Sequence, residues 1–202
     1  MHICFEGIDG CGTTTHSGLL SEFLTAKGIR IYLTKEPSNT EIGLVLRKYL
    51  KNKNVHPSTD ALLFAADRSH HFFNEIKQKL EDNYVVISDR FLESSIVYQS
   101  AQSELLSIEW VKTLNKFVEE PEITIILDIP PKLSLQRKKE QILEKFENIT
   151  FLSKVRDIYL KRAEENNYFV INSDDEIDIV QKKIQKIVMN ELKKFNFEEL
   201  LK

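Results

Sequence analysis

The first fourteen residues constrain this chain more than any other segment. The apolar run Ile3-Cys4-Phe5-Glu6 reads as a buried strand, Gly7-Ile8-Asp9-Gly10-Cys11-Gly12-Thr13-Thr14 follows at once, and a helical pattern opens behind it. The spacing is that of G-x-x-x-x-G-K-[ST], a loop whose backbone N–H groups wrap around nucleotide phosphates. The helix N-terminus behind it adds a dipole that favours the same anions. Gly7, Gly10 and Gly12 let the main chain come close to phosphate, and Ile8, Asp9 and Cys11 fill the loop between them. Thr14, in the [ST] position, is expected to offer its hydroxyl to a nucleotide-bound Mg²⁺. The lysine position holds Thr13, which can donate a hydrogen bond but brings no charge. A glycine-rich turn without a ligand is the alternative; its placement between strand and helix favours the phosphate loop.

Behind the loop, apolar runs alternate with helical patterns. Strands are expected at Ile3–Phe5, Ile29–Leu33, Tyr84–Ser88, Ile123–Ile129 and Tyr168–Asn172, β-branched and nearly continuous, as strands covered on both faces of a parallel sheet are. Helices are expected at Thr13–Lys27, Glu41–Asn52, Ser58–Glu81, Leu92–Gln102, Ser107–Val118, Lys132–Glu147, Thr150–Asn166 and Glu176–Lys194. Gly28 closes the first helix and Pro57-Ser58 opens the third. Repeated strand–helix crossings imply an α/β fold, a doubly wound parallel five-stranded sheet with helices on both faces, binding ligands at the carboxyl ends of its strands. With no repeat, no low-complexity tract and no Pro/Gly-rich linker, one domain over residues 1–202 is expected.

Charge and cysteine usage narrow the function classes. A net charge of −3 argues against broad nucleic-acid binding, and Lys182-Lys183 and Lys193-Lys194 read as the wet face of a terminal helix. No apolar run is long enough to span a membrane, and no signal pattern precedes the first strand. Cys4 and Cys11 are too close together to frame a disulfide scaffold, so a cytoplasmic setting is expected. Trp110 and Phe117, seven apart, fit an apolar helix face, in a core or at a subunit interface.

Two further constellations carry chemistry. Tyr84-Val85-Val86-Ile87-Ser88-Asp89-Arg90 is an apolar strand ending in an acid, where a phosphate-loop fold places a metal-side carboxylate. Arg90 then leaves the same strand end with forked donors suited to a second phosphate. Alone, the pair would read as a surface ion pair. In Leu62-Leu63-Phe64-Ala65-Ala66-Asp67-Arg68, Phe64 and Arg68 lie four apart on one helix face, a ring that can stack and a cation that can hydrogen-bond a carbonyl. Core and solvated surface are the plain alternatives for these two.

Together these segments resemble the thymidylate kinases. The resemblance rests on Phe5-Glu6-Gly7-Ile8-Asp9-Gly10, Thr34-Lys35-Glu36-Pro37, Leu62 to Arg68 and Asp89-Arg90-Phe91, with Ser94-Ser95 and Tyr98-Gln99 close behind. It extends through Leu127-Asp128-Ile129-Pro130-Pro131 and Glu144-Lys145-Phe146-Glu147. It implies a kinase that moves a phosphoryl group from ATP to dTMP with Mg²⁺, as a homodimer. Position by position, it implies that Phe64 stacks on thymine, Arg68 hydrogen-bonds the base, Arg90 holds the dTMP phosphate and Tyr98 packs under the deoxyribose. Ser95 and Gln99 complete that pocket. Asp9 and Glu36 lie near the acceptor sugar and metal, Asp89 supports Mg²⁺, and Arg137 lies near adenine. Residues 136–147 form a lid, with Lys145 at a phosphate-clamping position; a charged helix surface is the alternative for Lys138 and Lys139.

The chain departs from that pattern at four places: Thr13 for the loop lysine, Lys35 and Lys145 for arginines, and His16 for a frequent glutamine. Phosphoryl transfer depends on positioning and charge stabilisation, so a missing cation is costly. Lys35, Lys138, Lys139 and Lys145 are the candidates to replace it. The alternatives are a nucleotide-binding paralogue with weakened catalysis, or a kinase for another deoxynucleoside or nucleotide.

Overall fold

The computed structural model describes residues 1–52, 54–137 and 148–195. In chain order these form β1 (His2–Gly7), α1 (Thr13–Thr25), β2 (Ile31–Lys35), α2 (Glu41–Leu50), α3 (Pro57–His71), α4 (Lys77–Glu81) and β3 (Val85–Asp89). Then come α5 (Leu92–Gln102), α6 (Ile108–Leu114), β4 (Ile123–Asp128), α7 (Pro131–Arg137), α8 (Ile149–Asn166), β5 (Phe169–Asn172) and α9 (Ile177–Lys194). The sheet order is β2-β3-β1-β4-β5 with every pairing parallel. β1 is therefore central, and the chain winds outward from it in both directions. Its carboxyl end is the switch point where such sheets bind ligands.

Burial explains the unbroken apolar runs. Ile3 and Phe5 join Leu20 and Leu24 of α1 and Ile184 and Val188 of α9 in one apolar cluster. Cys4 and Val86, one residue out of phase, join Phe72, Ile76 and Ile96 in another. A strand with both faces covered has no polar phase to alternate with. The edge strands β2 and β5 are the more exposed, and β4 departs from full burial at Asp128 alone.

The expected strands and helices all recur within the described residues, with boundaries shifted by a few residues. Three departures have physical reasons. The helix expected at Ser58–Glu81 is interrupted: Phe72–Ile76 winds as a π-helical turn between α3 and α4, a local change that apolar periodicity does not encode. Helix α6 stops at Leu114, so Phe117 lies beyond it and is 68% exposed, off any face shared with Trp110. Helix α7 begins at Pro131, and residues 138–147 of the expected helix and lid lie outside the described residues.

Candidate active site

The loop between β1 and α1 forms the floor of the site. Gly12 has φ 103°, which lets Thr13 start the helix with its N–H groups turned towards the cleft. Gly7, at φ 146°, cannot carry a side chain, because a Cβ there would lie 2.6 Å from the Leu127 carbonyl oxygen and 2.7 Å from Cys11 Sγ. Cys11 is buried, and burial pushes its thiol up to about 12, so it packs beneath the loop as a neutral group. A groove of about 630 Å³ opens over Gly10 to His16, bounded across from the loop by Arg137, Ser173 and Asp175 to Ile177. Arg137 is fixed there by donating to the Ser173 carbonyl at 2.9 Å. His16 is anchored to Gln181 Oε1 at 3.0 Å.

At the carboxyl end of β3, Thr14 Oγ1 donates to Asp89 Oδ2. The hydroxyl and carboxylate meet at the helix N-terminus, a hard-oxygen pair that suits Mg²⁺, which keeps several waters and shares substrate phosphates. The described residues contain no cluster of three or more His, Cys, Asp or Glu able to hold a metal on its own. Arg90, immediately after, has φ 70°. That turn breaks the strand and swings the guanidinium under the loop, where it donates to Gly7 O at 2.8 Å, Ser94 Oγ at 2.9 Å and Asp9 Oδ1 at 2.7 Å.

A second pocket lies beyond Arg90, lined among others by Phe64, Arg68, Tyr98, Gln99, Glu36 and Pro37. Arg68 is wholly buried. It donates to Ser95 Oγ at 2.9 Å, Asn115 Oδ1 at 2.8 Å and the Phe91 carbonyl at 2.9 Å, and pairs with Glu36 Oε2 at 2.7 Å. Glu36 also meets His71 Nδ1 at 3.3 Å. The Tyr98 hydroxyl accepts from Asp9 N at 3.1 Å, tying the pocket wall to the phosphate loop. Behind both, the buried Glu6 carboxylate accepts from Phe91 N at 2.9 Å, Ser94 Oγ at 2.5 Å and the Tyr159 hydroxyl at 3.0 Å. Gln99 Oε1 is buried with no hydrogen-bond partner among the described residues.

A trough joins the two pockets, bounded by Asp9, Gly10, Thr13, Thr14, Lys35, Glu36, Pro37, Arg47, Asp89 and Arg90. It shares Asp9, Glu36, Pro37 and Arg90 with the Phe64 pocket, and Gly10, Thr13 and Thr14 with the loop groove. The structure thus brings together all the sequence-predicted residues within the described range. Ser95 stands one layer back, reached through Arg68. Lys145, with Lys138 and Lys139, lies outside the described residues.

Sequence reasoning missed Arg47 and Asn115. Arg47 reaches from α2 into the trough and donates to the Pro37 carbonyl at 2.8 Å. Asn115 orients Arg68 from the end of α6. A basic residue on an amphipathic helix and a polar residue after one look like ordinary surface, and only the tertiary fold shows otherwise.

The thymidylate kinase family model matches residues 5–184. The chain is 44% identical over 173 residues to a probable thymidylate kinase of Pyrobaculum aerophilum, covering 85% of this chain and 87% of that protein. It is 42% identical over 190 residues to a probable thymidylate kinase of Pyrobaculum calidifontis, covering 93% and 95%. A thymidylate kinase of Thermosipho africanus is 38% identical over 200 residues, covering 95% and 99%.

Proposed function

The chain belongs to the thymidylate kinase family, and we propose that it transfers the γ-phosphoryl group of ATP to dTMP, giving dTDP and ADP. The observation that carries this reading is the trough, which connects a phosphate-loop groove to a pocket holding an aromatic ring, a buried arginine and an unsatisfied amide oxygen. Thymine presents an N–H beside two carbonyls, the complement of Gln99 and the Arg68 region, and Phe64 offers a face for stacking. Tyr98, held against Asp9, sits where a bulkier sugar would collide. Arg90 and Arg47 flank the acceptor phosphate, and the loop amides hold the donor.

The reaction is an in-line displacement: an acceptor phosphate oxygen forms the new P–O bond as the bond to the β-phosphate oxygen breaks. The acceptor is already an anion, so no strong base is needed. The protein's task is to bring two polyanions together and to stabilise charge as the γ-phosphoryl passes between them. Mg²⁺, held by Thr14 and Asp89, would neutralise donor charge. Asp9, tied to Arg90 and Tyr98, keeps the acceptor side rigid with respect to the loop.

Cys4 and Cys11, both free and buried, suit a cytoplasmic enzyme. Leu44, Val45 and Tyr49 leave an exposed apolar strip on α2, which suits a homodimer. A slower-turnover reading rests on Thr13, which leaves the loop without its own cation.

Coupled detection of ADP with ATP, Mg²⁺ and a panel of dTMP, dUMP, dCMP and thymidine tests the proposal. The expected outcome is dTDP formation with dTMP as the best acceptor. Binding of both nucleotides without dTDP would overturn the enzyme, and a preference for thymidine would contradict the place given to Arg90.

A further inference from the structure

The trough is lined by three described cations, Arg90, Arg47 and Lys35, and the first two are occupied. Arg90 is held by Asp9, Gly7 and Ser94. Arg47 is held by the Pro37 carbonyl, and its second nitrogen lies 3.4 Å from Asn39 Oδ1. Across the loop, Arg137 donates to Ser173. Lys35 is exposed and forms no ion pair or side-chain hydrogen bond among the described residues.

Its position is set by the sheet. Lys35 is the last residue of β2 and stands in register with Asp89, the last residue of β3. Paired residues on adjacent parallel strands point to the same face and lie about 4.8 Å apart. Asp89 faces Thr14, so Lys35 leaves the sheet on the side of the phosphate loop, one strand further out. It lines the trough with Thr13 and Thr14, and also the neighbouring cleft of Thr14, Ser17 and Asp89. Its flexible four-carbon stem carries a compact ammonium with three donors, and no partner among the described residues must be given up for it to reach a phosphate oxygen.

Accepting that the protein is an ATP:dTMP phosphotransferase, we propose that Lys35 supplies, from the opposite wall of the trough, the positive charge that Thr13 leaves out of the loop. The ammonium hydrogen-bonds an oxygen of the transferring γ-phosphoryl group as the bond to the β-phosphate oxygen breaks and the bond to the acceptor forms. It stays protonated throughout, so no proton is exchanged. Thr13 contributes only its backbone N–H and hydroxyl, and the cation has moved from the loop to the adjacent strand. The role predicts a particular form of rescue: a lysine returned to position 13 makes Lys35 dispensable.

The test is steady-state kinetics on Lys35→Met, Lys35→Arg, Thr13→Lys and Thr13→Lys/Lys35→Met, with dTMP binding followed by calorimetry. Lys35→Met is expected to lower kcat about 10²–10³-fold, the usual effect of losing one transition-state donor, with dTMP affinity within twofold of wild type. Lys35→Arg is expected to retain at least about a tenth of kcat, because charge survives while geometry changes. The double variant is expected to regain most of what Lys35→Met loses. A Lys35→Met enzyme within threefold of wild type would overturn the assignment, as would a deep loss that Thr13→Lys fails to restore. A wild-type protein making no dTDP overturns activity and assignment together; an active wild type matched by Lys35→Met overturns the assignment alone.

Discussion

In the proposed reading, the pocket around Arg68 and the trough around Lys35 solve the same problem, placing positive charge against a nucleotide, in opposite ways. Arg68 has no exposed surface and its guanidinium is divided among Ser95, Asn115, Phe91 and Glu36. Lys35 is exposed and unpaired among the described residues. A base is read by shape and by fixed hydrogen-bonding partners, so its pocket gains from being rigid before the ligand arrives. A phosphoryl group in flight gathers charge that no ground-state contact anticipates, and a cation held in water until the substrates meet costs little to keep there. The acceptor side is built into the core, and the donor side draws on what can move in.

Breaking the rigid side should have the largest effect. Arg68→Met removes one member of a buried pair and leaves Glu36 charged and enclosed. Such a loss typically costs about 3–5 kcal/mol, so the urea midpoint should fall steeply and dTMP binding should vanish in calorimetry. If Arg68 were merely a solvent-facing base contact, binding would fall while stability held, and the comparison would collapse. Gly43→Ala probes the same rigidity from further off. A Cβ there would lie 2.1 Å from the Ser38 carbonyl oxygen, and Ser38 is clamped by Asp67 through its N–H at 2.7 Å and its hydroxyl at 2.5 Å. The backbone must give way, with a loss of about 1–3 kcal/mol, and because α2 carries Arg47, kcat/KM for dTMP should drop as well.

Gln99→Leu sharpens the comparison instead of breaking it. The Gln99 carbonyl oxygen is buried without a partner among the described residues, so its removal should not lower the stability of the free protein. dTMP affinity should weaken about tenfold, the worth of one well-placed hydrogen bond. A variant that binds dTMP normally would mean that the base is read elsewhere.

How much of this was legible beforehand depends on whether a feature is local. The strand–loop–helix of residues 3–14 and the acid at the end of β3 are local patterns, and both stand where the sequence places them. So do Phe64 and Arg68, because a spacing of four on a helix fixes a shared face. The four-way fixing of Arg68 was not legible: Asn115 lies 47 positions away, and no periodicity links them. Arg47 looked like solvated charge because nothing in α2 announces that Pro37 turns back towards it. The π-helical turn at Phe72–Ile76 was invisible for a different reason. One extra residue in a helix shifts the apolar phase too little to be noticed, yet it places Phe72 and Ile76 in the core beneath β3.

The smallest expected effect at neutral pH becomes a large one in acid, and it separates framework from trough by a different means. His2 lies on the central strand with Nε2 2.7 Å from Ser88 Oγ, directly beside Asp89 in sequence, and its ring meets Phe91 edge-on at 4.9 Å. Burial, with help from the nearby amino terminus and His71, lowers its pKa from 6.5 to about 3. The folded chain therefore keeps His2 neutral in a range where the unfolded chain takes up a proton. The stability this represents is complete above about pH 6.5 and is lost as pH falls towards 3, with a limiting slope of about 1.4 kcal/mol per pH unit. His2→Gln, which keeps a hydrogen-bonding group for Ser88 but cannot take up the proton, should change the urea midpoint little at pH 7 and flatten its decline between pH 6 and 4. Wild-type and variant curves that run parallel through that range would show acid acting elsewhere. Divergence of the curves as the pH drops, with the variant keeping the higher midpoint, would place the first acid failure in the buried framework beneath Asp89 and Arg90, ahead of the open trough where Lys35 stands.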